Sequence, residues 1–253
     1  MYSLKNLCAS YGNKSVLRNI TLDIPPGLVS LIGPNGSGKS TLLRVLSGLM
    51  PYSGNVSFHC REVRSFTRRD FARNVSFVMS SSSFKPSYPF SVREIIEMGR
   101  LPYRGVFDRL AKSDNDIINR SAEILGITHL LERDIMTLSD GERQLAFIAC
   151  SLAQDTSIIL LDEPTSALDP DKSAKVFALL KRLSDNGRSI IAAVHDINLS
   201  LSYSYYYIAL KEGRLISHGR KISGDVLREL YGAEFIPYHN YERNDSMWRA
   251  LPE

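Results

Sequence analysis

A phosphate-binding α/β core, faced by an antiparallel β layer and interrupted by a helical insert, is the fold class predicted for this 253-residue sequence. Three observations carry that expectation. Residues 28–41, Leu-Val-Ser-Leu-Ile-Gly-Pro-Asn-Gly-Ser-Gly-Lys-Ser-Thr, read as a buried strand, a glycine loop and a helix start. Two further apolar runs end at Asp162-Glu163 and at His195, separated by the length of one strand–helix–strand unit. Between about residues 86 and 153 the pattern turns helical.

Composition bounds the rest. A chain of this length buries a full core, as one large domain or as a core with a subdomain. Hydrophobic content of 43% and charged content of 23% are ordinary globular values. The longest apolar stretches, such as Ile190–Val194, are strand-sized, so no membrane span is expected. Met1–Leu7 lacks the basic flank and apolar stretch of a secretory signal, which predicts a cytoplasmic protein. Cys8, Cys60 and Cys150 are odd in number and far apart, arguing against a disulfide framework or a zinc site. The net charge of +4 selects no partner. Arg61, Arg64, Arg68, Arg69 and Arg73 form a basic cluster that reads as a solvated, helix-flanking face or as a contact for nucleic acid or a membrane surface.

Taken in order, residues 2–24 alternate apolar and polar positions, predicting an antiparallel strand pair with Ser10-Tyr11-Gly12 at its turn. Pro25-Pro26-Gly27 breaks the chain before the phosphate-loop strand. The first helix is expected to run to residue 50 and to stop at Pro51–Gly54. Strands are predicted at Val56–Phe58 and Val75–Met79, then a polar, turn-rich loop over Ser80–Pro89. Ser91-Val92-Arg93-Glu94 is a capping box that opens a helix. Ser113–Asp116 opens another, with Ile117, Ser121, Ile124 and Leu125 on its apolar face. A strand at Ser157–Leu161 is followed by a helix from Pro170 to Asn186, with proline in its first turn and Gly187 beyond its end. Ser189–Val194 is a strand, Tyr206–Lys211 and Arg214–Ser217 form a hairpin around Glu212-Gly213, and Ser223–Tyr231 is a short closing helix. This divides residues 1–232 into a core (1–85 and 154–232) and a helical insert (86–153). The tail, 233–253, carries Tyr238, Tyr241 and Trp248 without clear periodicity. Loose order and packing on a neighbour are both open for it.

The chemistry gathers at strand ends. The loop reads G-x-x-x-x-G-K-S, the phosphate-binding loop, in which backbone N–H groups turn inward around an anion at a helix N-terminus. Gly33, Asn35, Gly36, Ser37, Gly38, Lys39, Ser40 and Thr41 are therefore candidate nucleotide contacts. Lys39 would reach the β- and γ-phosphates, and the Ser40 hydroxyl would ligate Mg²⁺. Ligands of an open parallel sheet sit at the carboxyl ends of its strands, where Gly33, Asp162-Glu163 and His195 would all converge. Asp162 suits a Mg²⁺ site, which takes a few carboxylates plus phosphate oxygens. Glu163 can accept the proton of an attacking water, and His195 is placed for the γ-phosphate. In Leu138-Ser139-Asp140-Gly141-Glu142-Arg143-Gln144, a second capping box opens a helix that offers a second anion site within the insert. One chain with one nucleotide has no use for it, which suggests that it binds the phosphate of another copy.

Together, Gly33–Thr41, Leu138–Gln144, Ile158–Glu163 and His195 resemble the ATP-binding subunit of ABC transporters, with a match running to about residue 230. The resemblance implies a phosphate-loop ATPase fold of the ABC type and a head-to-tail dimer holding two ATP molecules. It implies ATP and Mg²⁺ as cofactors and two multi-spanning membrane permease subunits as partners, with a substrate-binding protein acting indirectly and no nucleic acid. It also implies a position on the inner face of the cell membrane. Lys39, Ser40 and Asp162 would bind phosphates and Mg²⁺, and Glu163 would be the general base. His195 would be the switch histidine, and Ser139 and Gly141 would contact the partner's γ-phosphate. Tyr11, by itself a turn tyrosine, matches the aromatic that stacks on adenine. Ser166-Ala167-Leu168-Asp169 matches the loop that joins the two sites, which adds Asp169 to the candidate contacts.

Ser91–Glu94 followed by Met98-Gly99-Arg100-Leu101-Pro102-Tyr103, with His195-Asp196-Ile197-Asn198-Leu199, is similar to importers of iron–siderophore complexes, haem and cobalamin. Two positions depart from the pattern. Ser80 stands where the family carries a glutamine that senses Mg²⁺ and water, so its own metal contact would run through a bridging water. Asp140 replaces the usual glycine of the signature and is expected to point away from the nucleotide. Slower or more loosely coupled hydrolysis is the expected consequence. The competing readings are a soluble ABC protein acting on nucleic acid or ribosomes, and a regulator that has lost turnover.

Overall fold

The computed structural model describes residues 1–80, 88–105, 108–240 and 245–251, with the side chains of 239, 240, 245 and 246 excepted. Residues 81–87 of the expected turn-rich loop, which include the boundary assigned to the insert, lie outside the described residues, as does Tyr241.

β1 (Tyr2–Tyr11) and β2 (Lys14–Ile24) form the expected antiparallel pair. β3 (Leu28–Ile32) feeds the glycine loop and α1 (Lys39–Leu46). The helix ends four residues before the expected position. Leu49 N–H reaches Arg44 O, Gly48 N–H reaches Val45 O, and Gly48 takes φ 71°. These two bonds make a Schellman end that stops the helix ahead of the prolines. β4 (Ser53–Phe58) and β5 (Arg61–Glu62) complete a four-stranded layer in the order β2-β1-β4-β5.

α2 (Arg68–Ala72) leads to β6 (Val75–Val78), the first edge of a second sheet. The insert follows as α3 (Val92–Glu97), a 3₁₀ run over Met98–Tyr103, α4 (Lys112–Ile124) and α5 (Asp140–Ala153). β7 (Ile158–Asp162), α6 (Pro170–Asp185) and β8 (Ser189–Ala193) return to the core. α7 (Ile197–Tyr203), β9 (Tyr206–Lys211), β10 (Arg214–Gly219) and α8 (Gly224–Tyr231) follow. The tail then forms β11 (Phe235–Asn240) and β12 (Asp245–Ala250), an antiparallel hairpin packed on α7 and α8 of its own chain.

The central sheet has the order β10-β9-β3-β8-β7-β6, parallel except for β10. Every residue of β3, β7 and β8 is buried, because both faces are covered. Alternate residues part between two cores. Val29, Leu31, Ile158, Leu160 and Ile191 join α1 and the antiparallel layer, whereas Leu28, Ile32, Ile159, Leu161 and Ile190 meet α6. The insert encloses an apolar cluster of its own around Val92, Ile96, Ile118, Leu130 and Ala149. α5 serves both bodies, giving Ile148 and Leu152 to the core and Ala146, Ala149 and Ala153 to the insert.

One expectation is corrected inside the insert. α4 starts earlier than Ser113, because Asp114 sits at its third position and accepts from Ala111 N–H at 3.2 Å. The same carboxylate accepts from Arg100 Nε at 2.8 Å, which holds it below the ordinary aspartate pKa although burial pushes the other way. Drawing Asp114 inward turns the buried face to Ile118, Ser121 and Ala122, leaving Ile124 exposed. The arginine cluster before the insert is exposed, as a solvated face would be, and several of its members also bind within the chain. Arg69 and Arg73 donate to Pro102 O at 3.0 and 2.9 Å, tying α2 to the insert, while Arg61 and Arg64 lie over the rings of Phe66 and Tyr52.

Candidate active site

The glycine loop turns at the carboxyl end of β3. Gly33 has φ 146°, and a Cβ there would sit 2.0 Å from Leu210 O, so only glycine lets β3 pass so close to β9. The hairpin turn between β9 and β10 braces the loop from outside, with Gly213 N–H donating to Ser37 O at 3.0 Å. Ser37 and Thr41 are buried, and Asn35 and Gly36 are exposed at the loop's lip.

Lys39 folds back into its own loop. Its Nζ donates to Gly33 O at 2.7 Å and to Pro34 O at 3.1 Å. Burial lowers its pKa, while the charges of Glu163 and Asp162 act in the opposite direction. The next residue, Ser40, donates to Asp162 Oδ1 at 2.9 Å, so the helix start and the end of β7 meet through two oxygens. Asp162 is 8% exposed, and burial raises its pKa against the lowering effect of the Ser40 hydroxyl.

Glu163 leaves β7 in a left-handed conformation, φ 51°, and its N–H is tied to Ala193 O of β8 at 3.1 Å. A non-glycine residue held there marks a constrained position. The turn swings its carboxylate away from Asp162's partner and onto His195, with Oε1 2.6 Å from Nε2. The pair is partly exposed and borders a cavity of about 420 Å³ lined also by Thr165, Ser166 and Asp196. Thus Lys39, Ser40, Asp162, Glu163 and His195 converge at one sheet edge.

Ser139 and Gly141 join this edge indirectly. Ser139 caps α5, accepting from Glu142 N–H at 3.3 Å, while the Glu142 carboxylate takes its N–H and hydroxyl at 2.9 and 2.8 Å. Gly141 lies against the 166–169 loop, where a Cβ would be 2.9 Å from Ala167 O. That loop starts at Glu163, whose carbonyl accepts from Ser166. Asp169 caps α6 with its side chain exposed and 3.7 Å from Lys172. Asp140 turns to Arg143 at 3.4 Å, with its side chain 65% exposed. Ser80 is half-buried beside a cavity of about 190 Å³ between β6 and the insert. Gln154 lines that cavity, but its amide donates to Ala72 O and Val75 O at the other end of β6.

Tyr11 stands exposed at the end of β1 and accepts from Arg44 of α1 at 3.0 Å. Arg44 carried no mark in the sequence, because only the folded β layer brings the two together. Among the described residues no cluster of three or more His, Cys, Asp or Glu can hold a metal, and no helix is long and apolar enough to cross a membrane.

The ABC transporter family model matches residues 17–166. The ferric enterobactin transport ATP-binding protein FepC of Escherichia coli (strain K12) is 36% identical over 234 residues, covering 90% of this chain and 86% of that one. An inward-facing structure described as a metal-chelate type ABC transporter superposes with TM-score 0.85 at 25% identity, over 100% of this chain and 98% of the other. The dimeric structure of the ATP-binding cassette MJ0796, bound to ADP and Pi, superposes with TM-score 0.78 at 26% identity, over 88% of this chain and 100% of that one.

Proposed function

The chain belongs to the ABC transporter family as an ATP-binding, ATP-hydrolysing subunit, and from that we propose that it powers import of a metal chelate through partner membrane subunits. Iron–siderophore, haem or cobalamin complexes are the cargo class, supported by the ferric enterobactin relative and the metal-chelate type neighbour. The observation that carries the catalytic reading is the pairing of Glu163 with His195, beside the Ser40–Asp162 contact at the same sheet edge.

In this reading Lys39 leaves the Gly33 and Pro34 carbonyls for the β- and γ-phosphates, and the loop's backbone N–H groups cradle the rest. Ser40 and Asp162 are the oxygen donors for Mg²⁺, a hard cation that takes few protein ligands and supplies charge neutralisation at the phosphates. The donor set fits: a hydroxyl and a carboxylate already 2.9 Å apart. Glu163 takes the proton of the attacking water, and His195 holds Glu163 in line and faces the γ-phosphate. Tyr11 stacks on adenine. Ser139 and Gly141 of a second copy close over the γ-phosphate, so ATP binding closes a head-to-tail dimer and hydrolysis reopens it. Asp169 lies on the loop joining the two sites.

Co-expression with a multi-spanning membrane subunit and reconstitution into vesicles tests the assignment. The expected result is chelate uptake that requires ATP on the side carrying this chain. ATP turnover stimulated by ribosomes or nucleic acid, with no retained membrane subunit, would replace it with the soluble alternative. A serine at position 80 cannot span a glutamine's distance directly, so Ser80→Gln is expected to raise the ATPase rate or tighten its coupling to transport. An unchanged rate with unchanged coupling would remove Ser80 from the account.

A further inference from the structure

The C-terminal hairpin reaches the site through α7. Asn198, in the first turn of α7, meets the backbone of Trp248 with both ends of its amide. Its Nδ2 donates to Trp248 O at 2.9 Å, and Trp248 N–H donates to its Oδ1 at 2.7 Å. The Trp248 indole rests over Gly224 at the start of α8, where a Cβ would lie 3.2 Å from the ring. On the other strand, Phe235 packs against Tyr231 of α8 with ring centroids 5.9 Å apart. One hairpin therefore grips the helix that follows His195 and also packs on α8.

α7 needs such a grip. It spans seven residues, too short to hold its own shape without tertiary contacts. Its far end is fixed to the sheet by Ser204 Oγ, 2.5 Å from Ser30 Oγ, and by Tyr205 N–H on Leu28 O. At its near end the Asp196 cap bonds, among the described residues, within the helix to Leu199 N–H. Among the described residues, the Asn198 pair is the side-chain hydrogen bonding that ties this first turn to another element.

We propose that Asn198 is a positioning residue for ATP hydrolysis: through the C-terminal strand it anchors the first turn of α7 and so holds His195 against Glu163. The inference rests on the reading of His195 as part of the hydrolytic site. It makes the segment beyond residue 232 a working part of that site, acting on the chemical step rather than on ATP capture, which belongs to the opposite loop.

The test is a double-mutant cycle on the full-length chain assembled with its membrane subunits, reading ATP hydrolysis. Asn198→Ala is expected to lower kcat about tenfold while KM for ATP stays within about twofold, the signature of a group felt in the transition state. In a His195→Ala background the same substitution is expected to change the residual rate by less than about twofold, because its effect runs through the missing ring. Trp248→Ala, which loosens β12 while leaving every α7 residue in place, is carried through the same cycle in case Asn198→Ala folds poorly. Equal losses in both backgrounds, or no loss in either, would overturn the proposal. A His195→Ala protein with undiminished kcat would instead remove the reading beneath it.

Discussion

Glu163→Gln is expected to lower ATP turnover by roughly 10²–10⁴-fold, the usual worth of a positioned general base, while ATP binding survives. The two neighbouring acids are separated by their surroundings. Asp162 is 8% exposed and accepts from the Ser40 hydroxyl, facing the metal-binding side of the loop rather than His195. Glu163 is partly exposed, borders a cavity of about 420 Å³ and touches His195 at 2.6 Å. A glutamine keeps the size of the side chain and an oxygen that can accept from the imidazole, so the turn at φ 51° need not change. What it loses is the ability to take a proton. ATP then stays intact in the closed state, and light scattering with saturating ATP should find a dimer that the native protein forms only transiently. A variant that remains monomeric under those conditions would sink the assignment of Ser139 and Gly141 to a partner's phosphate. Asp162→Asn is the control: it should weaken metal-dependent ATP binding rather than trap it.

The parts of this site carried by short-range pattern were legible in the sequence. β3, β7 and β8 are covered on both faces, so each is largely apolar, and each leads at its carboxyl end into a candidate site residue. The capping boxes at Ser91 and Ser139 also form as read, since a box is decided within four residues. What escaped depends on partners distant in the chain. α4 was read one residue out of phase because Asp114 is paid inward by Arg100, a pairing no periodicity contains. α7 was not read as a helix, and the tail hairpin was undecided, because each is shaped largely by the other across the Asn198–Trp248 contact. Arg44 is silent in the sequence for the same reason: its role begins when β1 reaches α1. The density of the arginine cluster left a solvated face and an external contact both open; its arginines are exposed, and Arg69 and Arg73 spend donors on the carbonyl of Pro102.

Lys39→Met should abolish nucleotide-linked stabilisation while leaving the nucleotide-free protein close to its native stability. Without phosphate, the ammonium is buried on two loop carbonyls at 2.7 and 3.1 Å, and burial pulls its pKa down. Methionine gives up those two hydrogen bonds but also removes a desolvated charge, so the opposing effects leave a net change of about 1 kcal/mol or less. The bound state has no such compensation, because the phosphates lose the cation that faces them. At ATP concentrations near 100 times the native Kd, the native chain gains about 2.7 kcal/mol from binding. For a chain of this size that is a rise in Tm of roughly 5–10 °C, and the variant should show almost none of it. Thermal melts with and without Mg-ATP separate the two possibilities. If the nucleotide-free variant melts lower by as much as the native protein gains from ATP, Lys39 is a brace of the empty loop. If only the ATP-dependent rise is lost, the lysine is held in reserve for the phosphates, and its contacts with Gly33 and Pro34 are where it waits.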